Sequence, residues 1–395
     1  MDAAYLIEIA SLLLRWLHLI VGIAWIGSSF YFVWLDNTLK APTDPDLKAK
    51  GVGGELWAVH GGGFYNPQKY LVAPKHLPDD LHWFKWESYS TWITGFFLLG
   101  VLYYSQAATY MVDPAKAALT PGAAIGIGLL TLAGGWLVYD GLCRLLMKRS
   151  MLLFAGLYFL FVVAVAWGLN HLLSGRAAFL HVGAMIATTM SANVFFWIIP
   201  GQKTTVAAMQ RGETPDPIYG QRAKQRSVHN NYLTLPVLFC MISNHYAFTY
   251  NHPQAWLVLT AILLAAVLIR HFFNLRHKSH FAWPYPLAGG SILLAVFVWL
   301  APAPVKLADA ASAPTLAQIQ PVVAARCAGC HSSTPTLMPA APAGVLLDTP
   351  ENVRLNGPKI LTQAVQLKAM PLGNITAMTD AERQLLAAWA AGGYR

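Results

Sequence analysis

Charge is what this sequence has least of. Only 11% of its 395 residues are Asp, Glu, Lys or Arg, against about a quarter in a soluble domain, so a chain surrounded wholly by water is excluded. Cysteine is scarce as well, with four in all. Cys143 and Cys240 sit in or beside apolar runs and read as small packing residues, and no second pair exists to build a zinc site with Cys327 and Cys330. There is no basic arm or tract: the net charge of +9 comes from residues in short loops, and no nucleic-acid partner is expected. His60-Gly61-Gly62-Gly63 lacks the strand context and the Lys-Ser/Thr of a phosphate loop. A removable signal peptide is missing too. The first apolar run, 9–35, is too long for one, has no basic lead or small-residue cleavage site, and reads as a span that stays in place.

What is abundant is apolar. Hydrophobic residues make up 56% of the chain, with fourteen Trp and sixteen Tyr, rings that collect at bilayer interfaces. A span needs about twenty mostly apolar residues, and eight stretches qualify: 9–35, 88–110, 123–143, 151–170, 178–200, 232–250, 255–274 and 286–302. The second and sixth are the most interrupted by polar residues. The fold class expected is therefore all-α: a polytopic membrane bundle of about eight helices over 1–302, a linker at 303–314, and a small all-α domain over 315–395 resembling a class I cytochrome c.

Charge asymmetry orients the bundle. One set of loops carries Arg144, Lys148 and Arg149, then Lys203, Arg211, Arg222, Lys224 and Arg226, then Arg276 and Lys278. The long first loop, 36–87, adds Lys40, Lys48, Lys50, Lys69, Lys75 and Lys85. The opposite connections hold little beyond Lys116 and Arg176. The first set is expected in the cytoplasm, which leaves both termini in the periplasm of a bacterial inner membrane. That agrees with c-type haem being attached outside the cytoplasmic membrane.

The haem motif is Cys327-Ala328-Gly329-Cys330-His331. Two thiols bind the haem vinyl groups covalently and His331 reaches the iron. A Met is expected as sixth ligand: Met370, followed by Pro on a loop before the last helix, leads, with Met378 as alternative. Pro321 suits a helix first turn, and Thr379-Asp380-Ala381-Glu382 is a capping box that starts the terminal helix, with Gly392 at its end.

Ionisable residues inside a bilayer are functional candidates by default. His18, His181 and His245 all fall in the outer half of their spans, His171 ends span four on that side, and Arg15 shares a helix face with His18. One reading is a haem b held by two of these histidines, with His18 the first choice and Arg15 meeting a propionate. The other is that each histidine hydrogen-bonds across helices. On the cytoplasmic side, the first loop gathers Glu55, Trp57, His60, Tyr65, Lys69, His82, Lys85, Trp86 and Glu87, and its length alone suggests function; a segment lying on membrane lipid is the alternative.

Arg15-Trp16-Leu17-His18, Gly22-Ile23-Ala24-Trp25-Ile26-Gly27-Ser28-Ser29-Phe30-Tyr31-Phe32, Val59-His60-Gly61-Gly62-Gly63-Phe64-Tyr65 and Leu81-His82-Trp83-Phe84-Lys85-Trp86-Glu87 resemble the bacterial membrane-bound urate oxidases (the PuuD family). Met370-Pro371-Leu372-Gly373-Asn374 and Met378-Thr379 extend the resemblance into the cytochrome segment. It implies oxidation of urate to 5-hydroxyisourate, with electrons leaving through haem c to a respiratory acceptor such as a cytochrome c or terminal oxidase. The haem ligands carry over position by position. No urate-site residue does. For that site the residues themselves offer His60, His82 and Glu87 as proton carriers and Lys85 as the cation for an anionic purine. Urate bound there would need an intermediate redox centre across a core about 30 Å thick; urate bound outside, near haem c, would not. The rival reading is a membrane-anchored electron-transfer subunit without a catalytic site of its own, and a second is an oxidase of another substrate.

Overall fold

The computed structural model describes residues 3–70, 74, 76–146, 149–301, 313–338 and 340–395. Lys75 and Lys148, counted above among the loop cations, and residues 303–312 of the linker lie outside the described residues.

Helix α1 (Ala3–Thr38) leads into the first loop, where α2 (Pro45–Ala49) precedes four short strands, β1 (Val52–Glu55), β2 (Ala58–His60), β3 (Gly63–Tyr65) and β4 (Gln68–Tyr70). They pair antiparallel as β1–β4 and β2–β3. The β2–β3 turn needs Gly61 and Gly62, both at positive φ, which only glycine adopts without strain. The loop is thus a folded hairpin pair. Helix α3 (Trp86–Leu98) continues as a π-helical stretch, Leu99–Tyr104, before α4 (Ala107–Tyr110). Then come α5 (Pro121–Leu146), α6 (Met151–Leu172), α7 (Gly175–Asn193), a second π stretch (Val194–Ile198) running into α8 (Ile199–Gln210), α9 (Pro217–Ile242), α10 (Ala247–Tyr250), α11 (Ala255–Arg276) and α12 (Pro284–Trp299).

Five of these helical units are long and apolar enough to cross a membrane: those beginning at Tyr5, Pro121, Met151, Gly175 and Ala255. Together with α3, α9 and α12 they make an all-α membrane bundle, with α7 near its centre. Sixteen of the nineteen residues of α7 are buried, and it touches α3, α5, α6 and α9. Small side chains let it sit there. A Cβ at Gly183 would collide with Cys240, and one at Gly135 with Met185.

The sixth expected span is displaced. Its helix starts at Pro217, not at 232, with Asp216 accepting the Ile218 N–H at 2.9 Å, and it ends at Ile242. The reason is that Arg226, His229, Asn230 and Asn231 are buried polar residues: their partners lie on other helices, so a hydropathy window discards them. The second span likewise breaks at Ser105, before 110.

The C-terminal segment builds its own apolar cluster from Leu316, Ile319, Val323, Leu347, Val353, Ile360, Leu386 and Trp389. Helix α13 (Leu316–Arg326) starts at a Thr315–Gln318 capping box, which places Pro321 inside the helix and not in its first turn. Helices α14 (Pro350–Leu355) and α15 (Gly357–Ile360) follow. Helix α16 (Asp380–Ala391) carries the expected Thr379–Glu382 box and is capped by Gly392. This domain rests on one end of the bundle: Asn251 Nδ2 donates to the Lys368 carbonyl at 2.6 Å, and a Cβ on Gly373 would lie 3.3 Å from the Thr109 carbonyl.

Candidate functional sites

The Cys-x-x-Cys-His turn closes the end of α13. The N–H groups of Cys330 and His331 both reach the Cys327 carbonyl, at 3.1 and 2.9 Å. His331 Nδ1 lies 3.0 Å from the Val345 carbonyl. A carbonyl only accepts, so Nδ1 carries the proton and Nε2 keeps its lone pair for a ligand. Cys327, Val345 and Met370 pack on one apolar cluster, and Met378 lies inside it. Asn374 pins Met378 twice, accepting its N–H at 3.0 Å and donating to its carbonyl at 3.2 Å. Burial pushes the Cys327 thiol up to about 11, the state of a thiol in an apolar pocket and not of a reactive thiolate. Two thiols on one turn, a histidine with a free Nε2 and two thioethers against a shared apolar cluster fit a covalently held haem.

The three intramembrane histidines separate. His18 Nδ1 is 2.9 Å from Thr94 Oγ1, and that hydroxyl spends its own proton on the Ser90 carbonyl at 2.7 Å. Thr94 must therefore accept from His18, which leaves His18 Nε2 free. A Cβ on Gly95 would meet the His18 ring at 2.9 Å, so glycine is what admits the imidazole. His18 and His245 line one mostly apolar cavity of about 470 Å³, with Arg15 and Arg176 among its walls. His181 does not line it. Fully buried, it bonds the Ala177 carbonyl of its own helix at 2.8 Å and the Tyr104 hydroxyl across to the neighbouring helix at 3.3 Å, so both ring nitrogens are engaged.

A second, polar cleft of about 690 Å³ lies between the bundle and the C-terminal domain. The bundle gives it Tyr110, Asn170, His171 and Arg176; the other domain gives Lys368, Asn374, Met378 and Arg383. Arg176 and Tyr110 line both the cleft and the apolar cavity and form the wall between them.

The first-loop candidates sit at the bundle's other end. His82 Nε2 is 4.0 Å from Glu87 Oε1, and Lys85 lies 6.0 Å from the Trp86 ring centre. His60 stands exposed at the end of β2, paired through its backbone to Gly63, with no contact to the other three. Lys69 is tied with Lys224 to Asp36; burial, then the Lys224 charge, holds its ammonium pKa below the usual lysine value.

Sequence reading missed a polar cluster within the bundle near that end. Asp140 accepts from Arg226 Nη2, Arg144 Nε and Trp197 Nε1, each at 2.7 Å. Asn193 donates to the Tyr139 hydroxyl at 3.0 Å and to Asn230 at 2.9 Å, while Tyr139 and His229 Nδ1 meet at 2.7 Å. Part of the signal was present: Asp140 and Asn193, polar residues inside expected spans, imply partners, though not which.

No curated protein and no solved structure matches the chain. A family model described as "Urate oxidase N-terminal" matches residues 4–301. That is well over half of the chain and the whole of the described bundle from α1 to α12, so the chain belongs to the urate oxidase N-terminal family.

Proposed function

We propose that the protein oxidises urate to 5-hydroxyisourate and passes the electrons through haem c to a respiratory-chain acceptor. The observation that carries this is the junction itself: a urate oxidase family bundle ending at 301 is fused to a domain whose Cys327, Cys330 and His331 turn fits haem. In the overall step urate gains a water oxygen and loses two electrons, with protons released to solvent. Haem c, when bound, supplies one-electron acceptance. His331, through Nε2, and Met370 would hold its iron, Met378 being the alternative to Met370. The family bundle is read as sitting in a bacterial inner membrane with both termini periplasmic, on the strength of the loop charges.

The apolar cavity fits a second, non-covalent haem b. His18 and His245 would hold it, Thr94 would fix the His18 ring, and Arg15 and Arg176 would meet its propionates; it would supply a further electron-transfer station. Two places carry groups for handling urate and its protons: the first-loop set of His60, His82, Lys85 and Glu87, and the interdomain cleft.

Detergent-purified protein mixed anaerobically with urate tests the reading. Haem reduction with no added protein is expected. A persistently oxidised spectrum would leave an electron-transfer subunit whose catalytic partner is missing. Cys327→Ser or Cys330→Ser should lose normal covalent haem while the spans stay inserted. A pyridine haemochrome assay should show both c and b haem, and His18→Ala should lose the b component.

A further inference from the structure

We propose that urate binds in the cleft between the bundle and the cytochrome domain, with Arg176 against its negative charge and Asn170 accepting a ring N–H. This rests on urate being the substrate.

The cleft volume, about 690 Å³, lies within the range of small-molecule sites, roughly 300–1,000 Å³. Charge accounting singles out one side chain. Of the charged groups around the cleft, Lys368 pairs with Asp380 at 2.8 Å. Lys116 lies 4.0 Å from Asp113 and donates to the Leu173 carbonyl at 3.1 Å. Arg383 is spent on the carbonyls of Ala364 and Met370. Arg176 has no carboxylate partner among the described residues, and its Nε is buried without a hydrogen bond. Its guanidinium instead stacks 5.3 Å from the Tyr110 ring centre and 5.7 Å from that of Tyr103. A guanidinium held this way presents a planar donor edge, the shape that suits an anionic purine's carbonyl and nitrogen edge.

Asn170 gives the second, independent indication. The residue is only 7% exposed. Its amide Nδ2 is fixed on the Ala166 carbonyl at 2.8 Å, yet Oδ1 is buried with no partner. Leaving such an acceptor empty costs about 1–3 kcal/mol, and a ligand N–H removes that cost. The N-terminus of α7, with Ser174 and Gly175 lining the same cleft, adds a favourable field for an anion.

His171 completes the set as proton acceptor. Its Nδ1 donates to the Trp167 carbonyl at 2.7 Å, so its Nε2 lone pair is available at the cleft. Urate bound here would rest against the loop that carries Met370 and Met378, on the same side of the bilayer. The first-loop set has no such enclosure: His60 is exposed and apart from His82 and Glu87.

The test is equilibrium binding of labelled urate to the full-length protein, beside urate-dependent haem reduction. Arg176→Met and Asn170→Leu should each weaken binding about tenfold or more, as for loss of a charge-assisted or buried hydrogen bond. Arg176→Lys should recover part of the loss. Asn170→Asp, which keeps size and acceptor but adds a like charge, should weaken binding as much with haem content unchanged; it serves if Asn170→Leu does not fold. His171→Gln should lower kcat and leave KM near wild type. Wild-type binding in Arg176→Met and Asn170→Asp overturns the proposal, the more so if His82→Ala or Glu87→Gln abolishes binding. A wild-type protein that neither binds urate nor is reduced by it overturns the urate reading itself, and this inference with it.

Discussion

Two charged groups, one toward each end of the bundle, are handled in opposite ways. Near the first loop, Asp140 sits among three donors at 2.7 Å, two of them the guanidinium groups of Arg226 and Arg144. At the end covered by the C-terminal domain, Arg176 lines a cleft and has an unpartnered Nε. Each end also leaves a neutral polar atom without a partner, but in different surroundings. His229 Nε2 belongs to a ring stacked 4.8 Å from Phe154, whereas Asn170, whose Oδ1 is the unpartnered atom, lines the cleft. A charge-paired cluster inside a packed bundle fixes how helices meet. An uncompensated cation beside an empty acceptor is an arrangement that a ligand completes.

The largest effect that would sharpen this contrast is Asp140→Ala. Arg226, only 4% exposed, would be left as a buried charge without its anion. Breaking a buried pair in this way costs about 3–5 kcal/mol. Thermal unfolding of the detergent-solubilised protein, followed by circular dichroism, should show a correspondingly lower midpoint. A midpoint within error of wild type would mean that the Asp140 cluster is not what holds α5, α7 and α9 together.

What was legible in the sequence follows the same division between local and distributed features. The α16 cap occupies four adjacent residues, so spacing alone revealed it, and the Cys327–His331 motif is just as local. The spans were legible because lipid demands apolar runs, and all eight expected segments hold helix. The 217–231 half of α9 was not, because Arg226, His229, Asn230 and Asn231 look like loop until Asp140, Tyr139 and Asn193 are known to meet them. His18 and His181 looked equivalent by depth. Only the fold shows that one keeps a free nitrogen at a cavity while the other is closed by Tyr104 and Ala177. The cleft was illegible for a plainer reason: its walls come from 109–116, 170–176, 250–256 and 368–383, which no periodicity connects.

The cleft also has satisfied polar groups, and these should behave as structure. Thr379 lines it and caps α16, accepting the Glu382 N–H at 3.2 Å while Glu382 accepts the Thr379 N–H at 2.7 Å. Thr379→Ala should cost about 1 kcal/mol, read as a lower unfolding midpoint of the C-terminal domain with urate binding little changed. The Thr379 N–H, and then Arg326, hold the Glu382 carboxyl below its usual value of 4.5. A depressed carboxylate stabilises the fold fully above its unfolded pKa and loses that contribution as pH falls through the folded one. Wild-type stability should therefore decline below about pH 4.5. Glu382→Gln, which keeps an acceptor without the charge, should flatten that decline; an unchanged acid limb would show that other carboxylates carry it.

The smallest expected effect on stability is the most informative. Arg176→Met removes a charge that has no carboxylate to leave behind, unlike Asp140→Ala. What is lost is stacking on Tyr103 and Tyr110, about 0.5–1 kcal/mol for such contacts at partly exposed sites. What is gained is relief from holding an unpaired cation partly out of water, a term of opposite sign. Methionine keeps the stem's packing along the rings. The two terms nearly cancel, so the unfolding midpoint should stay within about 1 kcal/mol of wild type while urate binding falls. The two substitutions then dissociate: one unfolds the bundle, the other empties the cleft. Should Arg176→Met destabilise as strongly as Asp140→Ala, Arg176 is holding α7 to its neighbours, and the contrast between the two ends fails.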